Sequence, residues 1–454
     1  MKDLSTGNEG RLIWKFAIPM LFGNVFQQMY SVVDSMIVGR YLGKEALAAI
    51  GTSMPISFLL VSFFIGITMG FTIIVSQYFG AKDMARVKRA INTLYIFIFF
   101  CSLLMSVVGI LLSEWIFRLI GLNEEVIPQA VIFLNIFMGG LVFLFGYNGT
   151  SAILRGLGDS KTPLYFLIGS VILNVILDII FIPVLGWGVW SAAFATVLSE
   201  AVAFIAQIIY LNHYHKVIRF SFKDLAFDRE IFNKGIKIGL PTGLQQTFVA
   251  AGMVALYGIV NRFGVDANAA YSAAGRIDNF AAMPAMSFSM ALSTFVGQNL
   301  GANKPQRVAN GLRATLAMTA VISLFVTLIT VIFGKYIMML FSKDAEVIEL
   351  GSGYLLVIGS SYILFSTMFV MNGVLRGAGD TLVPMFITLF ALWIIRIPVA
   401  YFLSSYPSIG IYGVYWSIPA GWLFGAGLSF IYFMTGRWKK KSVVKYSADG
   451  KRTD

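Results

Sequence analysis

ILRGLGDSKTP at 153–163 and VLRGAGDTLVP at 374–384 are two writings of one phrase. Arg155 and Arg376 stand 221 residues apart, and Gly156/Gly377, Gly158/Gly379, Asp159/Asp380 and Pro163/Pro384 keep that interval. So does a second pair, QYFGAKDMARV at 77–87 and QNLGANKPQRV at 298–308. Two motif pairs at one spacing are the mark of an internal duplication.

What is duplicated follows from composition. Hydrophobic residues make up 58% of the 454-residue chain and charged residues 12%, about half the charge of a typical soluble domain. The apolar residues come in blocks of about 20 or more, the length a helix needs to cross a bilayer. The chain therefore reads as an all-α polytopic membrane protein with twelve transmembrane helices. Short alternating strands, the pattern of a β-barrel, are missing. The first block follows a short polar start and is too long for a signal-peptide core, so it counts as a helix. Residues 126–156 and 346–376 each read as one span.

Most Lys and Arg fall on the side shared by both termini, including the tail RWKKKSVVKYSADGKR. The positive-inside rule then places both termini in the cytoplasm of a multi-pass plasma-membrane protein, the inner membrane of a bacterium. A positive cytoplasmic face accounts for the +12 charge without nucleic acid. Cys101 lies mid-span and has no partner for an intrachain disulfide; His213 and His215 read as solvated loop residues.

An interval of 221 residues holds six spans, an even number, so the two copies point the same way across the membrane. This is a parallel repeat of two six-helix lobes, an architecture suited to alternating access. The expected segments are an N-terminal lobe at 1–215, a cytoplasmic connection at 216–234, a C-terminal lobe at 235–436 and a basic tail at 437–454. The connection, with its mixed aromatics and charges, suggests a short amphipathic helix on the inner surface. Each LRGxGD copy falls in a cytoplasmic turn. Its two glycines suit a tight bend, Asp suits the next helix N-terminus and Pro its first turn. Arg155 and Arg376 suit helix C-terminal carbonyls or headgroups. A Gly-x-Gly-Asp protease reading fails, because the Tyr-Asp dipeptide that supplies the second aspartate is absent.

Four acids fall well inside spans: Asp34, Asp178, Glu200 and Asp278. An intramembrane charge is costly and marks function by default. Asp34 ends a stripe with Asn24, Gln27, Tyr30 and Ser31 at helical steps of three and four. Ser170, Asn174 and Asp178 share a face of the fifth span, and Thr196 and Glu200 a face of the sixth. Asp34, Asp178 and Thr196 lie at similar depth in the outer half of the bilayer, so two carboxylates, an amide and a hydroxyl can converge in the first lobe. Such oxygens suit Na⁺, and two neighbouring carboxylates equally suit a shared proton. The second lobe offers Arg276 and Asp278 as a polar site. They are two residues apart and point to opposite sides of their helix, so Arg396 is an available cation for Asp278.

No phosphate-cradling loop for ATP is written in the chain. Transport would run on an ion gradient, with Na⁺ or H⁺ as coupling ion and no other cofactor. One copy of the chain suffices for this.

Pro19 followed by QQMYSVVDSMIVGRYLG, the QYFGAKD turn, the paired LRGxGD turns and NVILD at 174–178 together resemble the multidrug and toxic compound extrusion (MATE) family, from about residue 10 to 436. The resemblance implies a non-enzymatic secondary antiporter with twelve helices in two lobes, exporting organic cations and drugs in exchange for Na⁺ or H⁺. It implies a first-lobe cation site at Asp34, Asn174, Asp178 and Thr196, and a substrate cleft lined by Gln27, Tyr30 and Asn148 beside Asp34. A branch of that family carries a span-7 glutamate for a second-lobe site; here LQQTFVAAG stands in that region without an acid. A lipid-linked oligosaccharide or lipid-precursor flippase of the same superfamily is the alternative. Within the spans only Arg276 and Arg396 would meet a pyrophosphate, and an acid-rich cleft favours cations.

Overall fold

The computed structural model describes residues 2–215, 219–447 and 452–453. Helices build it: α1 (Glu9–Tyr41), α2 (Gly43–Gly80), α3 (Met84–Leu119), α4 (Ile127–Gly139), α5 (Leu141–Gly156), α6 (Lys161–Ile179), α7 (Trp190–Tyr214) and α8 (Arg229–Val260). There follow α9 (Val265–Gly301), α10 (Pro305–Met339), α11 (Ala345–Gly359), α12 (Tyr362–Gly377), α13 (Leu382–Leu389), α14 (Ile397–Ser404) and α15 (Tyr412–Met434). Among the described residues, nine helices are long and apolar enough to cross a membrane. Two further spans are bent pairs, α4 with α5 at 48° and α11 with α12 at 50°. Residues 126–156 and 346–376, each read as one span, are each a bent pair of helices. The first breaks at Gly140, whose Cβ would run into Val197. The remaining span is α1, 33 residues long. Its polar stripe lowers its hydropathy although its length is ample at about 1.5 Å per residue.

The duplication is written into the backbone. Lys82 and Asn303 both take left-handed φ, at 58° and 56°, one in each QxxGAxx turn. Gly158 and Gly379 do so at 81° and 92°. In the LRGxGD turn only this second glycine needs positive φ. The first, expected to help the bend, serves close approach: a Cβ on Gly156 would sit 3.0 Å from the Thr72 carbonyl, and one on Gly377 would meet the Ser293 carbonyl.

Two compact units form. One comprises Lys2 and Phe22–Gly239, the other Asp3–Leu21 with Leu240 onward. In the first, α2 crosses the start of α8 so closely that a Cβ on Gly70 would lie 2.5 Å from the Gly235 carbonyl. Phe64 of α2 and Phe145 of α5 stack at 3.6 Å. In the second, Leu4, Ile13, Phe16 and Ala17 pack against Phe288, Leu292, Phe295 and Trp438. Arg307 ties the chain start down, pairing with Glu9 at 3.1 Å and donating to the Gly7 carbonyl at 2.8 Å. The basic tail returns to the same turn, with Trp438 buried and the Tyr446 hydroxyl donating to the Gly301 carbonyl at 2.6 Å.

Among its described residues the connection holds a 3-10 turn at Phe222–Asp224, where an amphipathic helix was expected; residues 216–218 lie outside the described set. Asn92 and Thr93 of α3 hold that segment, donating to the Asp224 carbonyl at 2.8 Å and accepting from the Asp228 N–H at 3.0 Å. Outward faces are apolar. Leu104, Val108, Leu111 and Trp115 of α3 are exposed at helical spacing, as are Val321, Phe325, Leu328 and Ile332 of α10. Such surfaces are stable in lipid and not in water.

Candidate functional site

Three helices of the first unit bring one polar cluster together. α1 presents Tyr30 and Asp34, one turn apart. α6 presents Ser170, Asn174 and Asp178 on one buried stripe. α7 presents Thr196, whose hydroxyl also donates to the Ala192 carbonyl at 3.0 Å. With its amide oriented so that both atoms are satisfied, Asn174 is the hub. Its nitrogen donates to Asp178 Oδ2 at 2.9 Å and to the Tyr30 hydroxyl at 3.2 Å, and its oxygen accepts from the Thr196 N–H at 3.1 Å. The Tyr30 and Thr196 hydroxyls meet at 3.3 Å.

The Asp34 and Asp178 carboxyl groups lie close enough in this cluster to act on each other. Two neighbouring buried carboxyls favour holding one proton between them, because the second negative charge is disfavoured beside the first. Asp178 is fully buried and Asp34 8% exposed, and each keeps one buried oxygen without a protein partner. Directly after Asp178 the helix widens into a π-helical turn at Ile180–Val184, with Pro183 inside it. Such turns recur at functional sites, because the extra residue re-aims neighbouring side chains.

Of the residues singled out in the sequence, Asp34, Asn174, Asp178, Thr196 and Tyr30 form this cluster. Gln27 is exposed one turn before Tyr30. Asn148 is half-buried and donates to the Leu144 carbonyl of its own helix at 2.9 Å. Neither is hydrogen-bonded into the cluster.

In the second unit Asp278 and Arg276 are not brought together: Arg276 is exposed, while Asp278 turns inward. The Tyr354 hydroxyl donates to Asp278 Oδ2 at 3.5 Å, and Tyr362 and Arg396 act on the same carboxyl. Arg396 is buried at the end of a second π-helical stretch, Phe390–Arg396. The tyrosines of this cluster were not read from the sequence. Tyr271, seven residues before Asp278 and so on the same face of α9, was the available signal; it packs edge-on against Tyr354.

The turn motif also resolves. Asp159 caps α6 as expected, its carboxylate accepting from the Lys161 and Thr162 N–H groups at 3.1 and 3.0 Å. Asp380 instead accepts from the Tyr432 hydroxyl at 2.5 Å. Arg376 is no headgroup anchor. It points inward and donates to Gln245 Oε1 at 3.1 Å, and Gln245 in turn donates to Thr388 at 2.6 Å.

Compared with known proteins, the chain matches the MatE family model twice, over residues 19–180 and 241–402. The chain belongs to the MatE family. The two matches fall on the two halves of the repeat, so this MatE protein is a transporter, not an enzyme, and a multi-pass membrane protein. It is 34% identical to the probable multidrug resistance protein YpnP of Bacillus subtilis, over 96% of this chain and 97% of that one. It is 32% identical to the probable multidrug resistance protein YoeA of the same organism, over 95% and 96%. A solved MOP superfamily transporter from Pyrococcus furiosus shares the fold, with a TM-score of 0.89, 24% identity and coverage of 97% and 98%.

Proposed function

We propose that this MatE protein exports organic cations and drugs across a bacterial inner membrane in exchange for protons, with both termini cytoplasmic. The names of its Bacillus subtilis relatives support multidrug export. The observation that carries the coupling is the burial of the Asp34 and Asp178 carboxyl groups in one cluster, each with an oxygen lacking a protein partner. A buried pair that holds one proton carries one negative charge, and a cationic substrate and a second proton compete for it. Asn174 favours the proton over Na⁺ in this competition. It turns its amide N–H groups toward Asp178 and Tyr30 and spends its oxygen on Thr196. The donated N–H steadies the single negative charge of the pair, and with its oxygen spent on the Thr196 N–H, Asn174 offers no ligand atom to a metal cation. Gln27 and Asn148 line the way to the pair, and one copy of the chain suffices.

The experiment is reconstitution in liposomes with a fluorescent organic cation, under an imposed pH gradient and then an imposed Na⁺ gradient, each with and without Asp34→Asn. Uphill dye movement under the pH gradient alone, abolished in Asp34→Asn, is the expected result. Movement driven only by Na⁺ overturns the proton assignment. No movement under either gradient, in folded protein, overturns drug antiport and points to lipid-linked substrates.

A further inference from the structure

The basic tail is held in place while its charges are left unmet. α15 ends at Met434, and Gly436 takes left-handed φ at 68°, which reverses the chain. Trp438 is the anchor. It is 1% exposed, stacks on Phe433 at 5.2 Å and donates its indole N–H to the Phe433 carbonyl at 3.0 Å. Val443 and Val444 are buried beyond it, and Tyr446 is fixed to the Gly301 carbonyl. Between these anchors Arg437, Lys439, Lys440, Lys441 and Lys445 are exposed, with the Lys439 ammonium over the Trp438 ring at 5.7 Å. None of the five is ion-paired to a described residue, and the described tail, 437–447 and 452–453, carries no acid. The connection stands in the tail's place in the first repeat and is built differently: its Asp224 and Asp228 pair with Lys88 and Arg89 at 3.4 and 3.8 Å. α1 packs Leu12 and Phe16 into the core that holds Trp438, and leaves Arg11, Trp14 and Lys15 exposed.

We infer that the five tail cations form a docking face for the phosphate headgroups of anionic phospholipids in the inner leaflet, the leaflet resting on the cytoplasmic orientation proposed above. Like charges held together repel one another, and a layer of phosphates relieves that repulsion. Position argues for lipid over a soluble polyanion. Trp438 bonds back to the last turn of α15, so the charges start where the span ends. Arg437–Lys441 is a 3-10 turn, about 10 Å long at this helix's rise, and about 10 Å is also the Debye length at moderate salt. Trp14, 44% exposed at the start of α1, is the amphipathic ring that sits at headgroup level. Lysine suits the task, because its ammonium is a mobile point charge that meets many headgroup arrangements. Each such cation raises affinity for an anionic surface on the order of fivefold. The buried anchors lower the entropic cost, since the segment is ordered before lipid arrives. Through Tyr446 and Gly301, docked lipid also holds the turn between α9 and α10.

The test melts the full-length protein in detergent with added phosphatidylglycerol or phosphatidylcholine. Three forms are compared: the parent, the quadruple variant Lys439→Gln/Lys440→Gln/Lys441→Gln/Lys445→Gln, and Lys440→Glu alone. Phosphatidylglycerol is expected to raise the parental melting temperature by about 5 °C over phosphatidylcholine at low salt, and by less at high salt. The quadruple variant is expected to lose about half of that gain or more, and Lys440→Glu about a third, with both melting like the parent in phosphatidylcholine. An undiminished gain in the quadruple variant overturns the docking face, as does equal stabilisation of the parent by phosphatidylcholine. Glycerol phosphate or a short oligonucleotide that matches phosphatidylglycerol at equal phosphate concentration overturns the lipid and assigns a soluble anion. Lower melting of both variants in phosphatidylcholine assigns the lysines to folding instead. Trypsin that cuts the tail in intact right-side-out vesicles overturns the orientation and the inner leaflet with it, and leaves the headgroup binding read in detergent standing.

Discussion

Lys82 and Asn303 stand at equivalent places in the two repeats and share one left-handed backbone conformation, at φ 58° and 56°. Asparagine tolerates this region through its short polar side chain, and lysine does not. Lys82→Gly is therefore expected to stabilise the protein by about 1 kcal/mol and Asn303→Gly by less, since glycine adopts positive φ without a Cβ clash. Thermal melting of the purified protein in detergent ranks the two; equal gains would contradict the argument.

The first glycines of the two LRGxGD turns differ in room. Gly377 is closed against the Ser293 carbonyl, whereas a Cβ on Gly156 stands 3.0 Å from the Thr72 carbonyl. Backbone cannot yield as a side-chain tip does, so Gly377→Ala is expected to cost about 2–3 kcal/mol and Gly156→Ala about 1 kcal/mol. Melting temperatures of the two variants read this directly, and the reverse order would refute it.

Removing the Arg376 side chain leaves Gln245 Oε1 without its donor inside the second unit. Arg376→Ala should lose about 1–3 kcal/mol by that route. Gln245→Leu combined with it should lose less than the sum, because both partners then go. Additive losses in a double-mutant cycle on detergent melts would show that the pair does not act as one.

Asn174→Leu keeps the volume and removes the hub of the carboxyl cluster. Asp178 Oδ2 and the Tyr30 hydroxyl each lose a donor and the Thr196 N–H loses an acceptor, so gradient-driven export should fall at least tenfold while the protein stays folded. Asn174→Asp adds a third carboxyl to the pair and should shift the pH dependence of export. Either variant transporting with the parental rate and pH profile would detach Asn174 from the mechanism.

Much of this was legible in the chain. The 221-residue interval gave the repeat, and helical steps of four gave Asn174 with Asp178 and Tyr30 with Asp34. Depth along the spans then placed Thr196 beside them. Spacing failed where a helix stops being regular. The 48° and 50° bends and the π-helical turns after Asp178 and before Arg396 leave no periodic trace, since an apolar block reads the same straight or broken. It failed also for Arg376. A cation next to a glycine turn reads as surface, and only the tertiary contact with Gln245, 131 residues earlier, turns it inward.

The Leu4 N–H donates to Gln298 Oε1, a partner 294 residues later. The opening segment of the chain thus belongs to the unit that is synthesised last. At about 5–20 residues per second, the ribosome needs about 15–60 s to deliver that partner. Through that interval Leu4, Ile13 and Phe16 have no native seat, and the growing protein must keep them from seating elsewhere. Nor does the first unit close on its own half of the message, because Arg229–Gly239 completes its packing against Gly70. A gene split at the central connection would therefore yield two products, each short of a piece the other encodes, and assembly would have to wait for both.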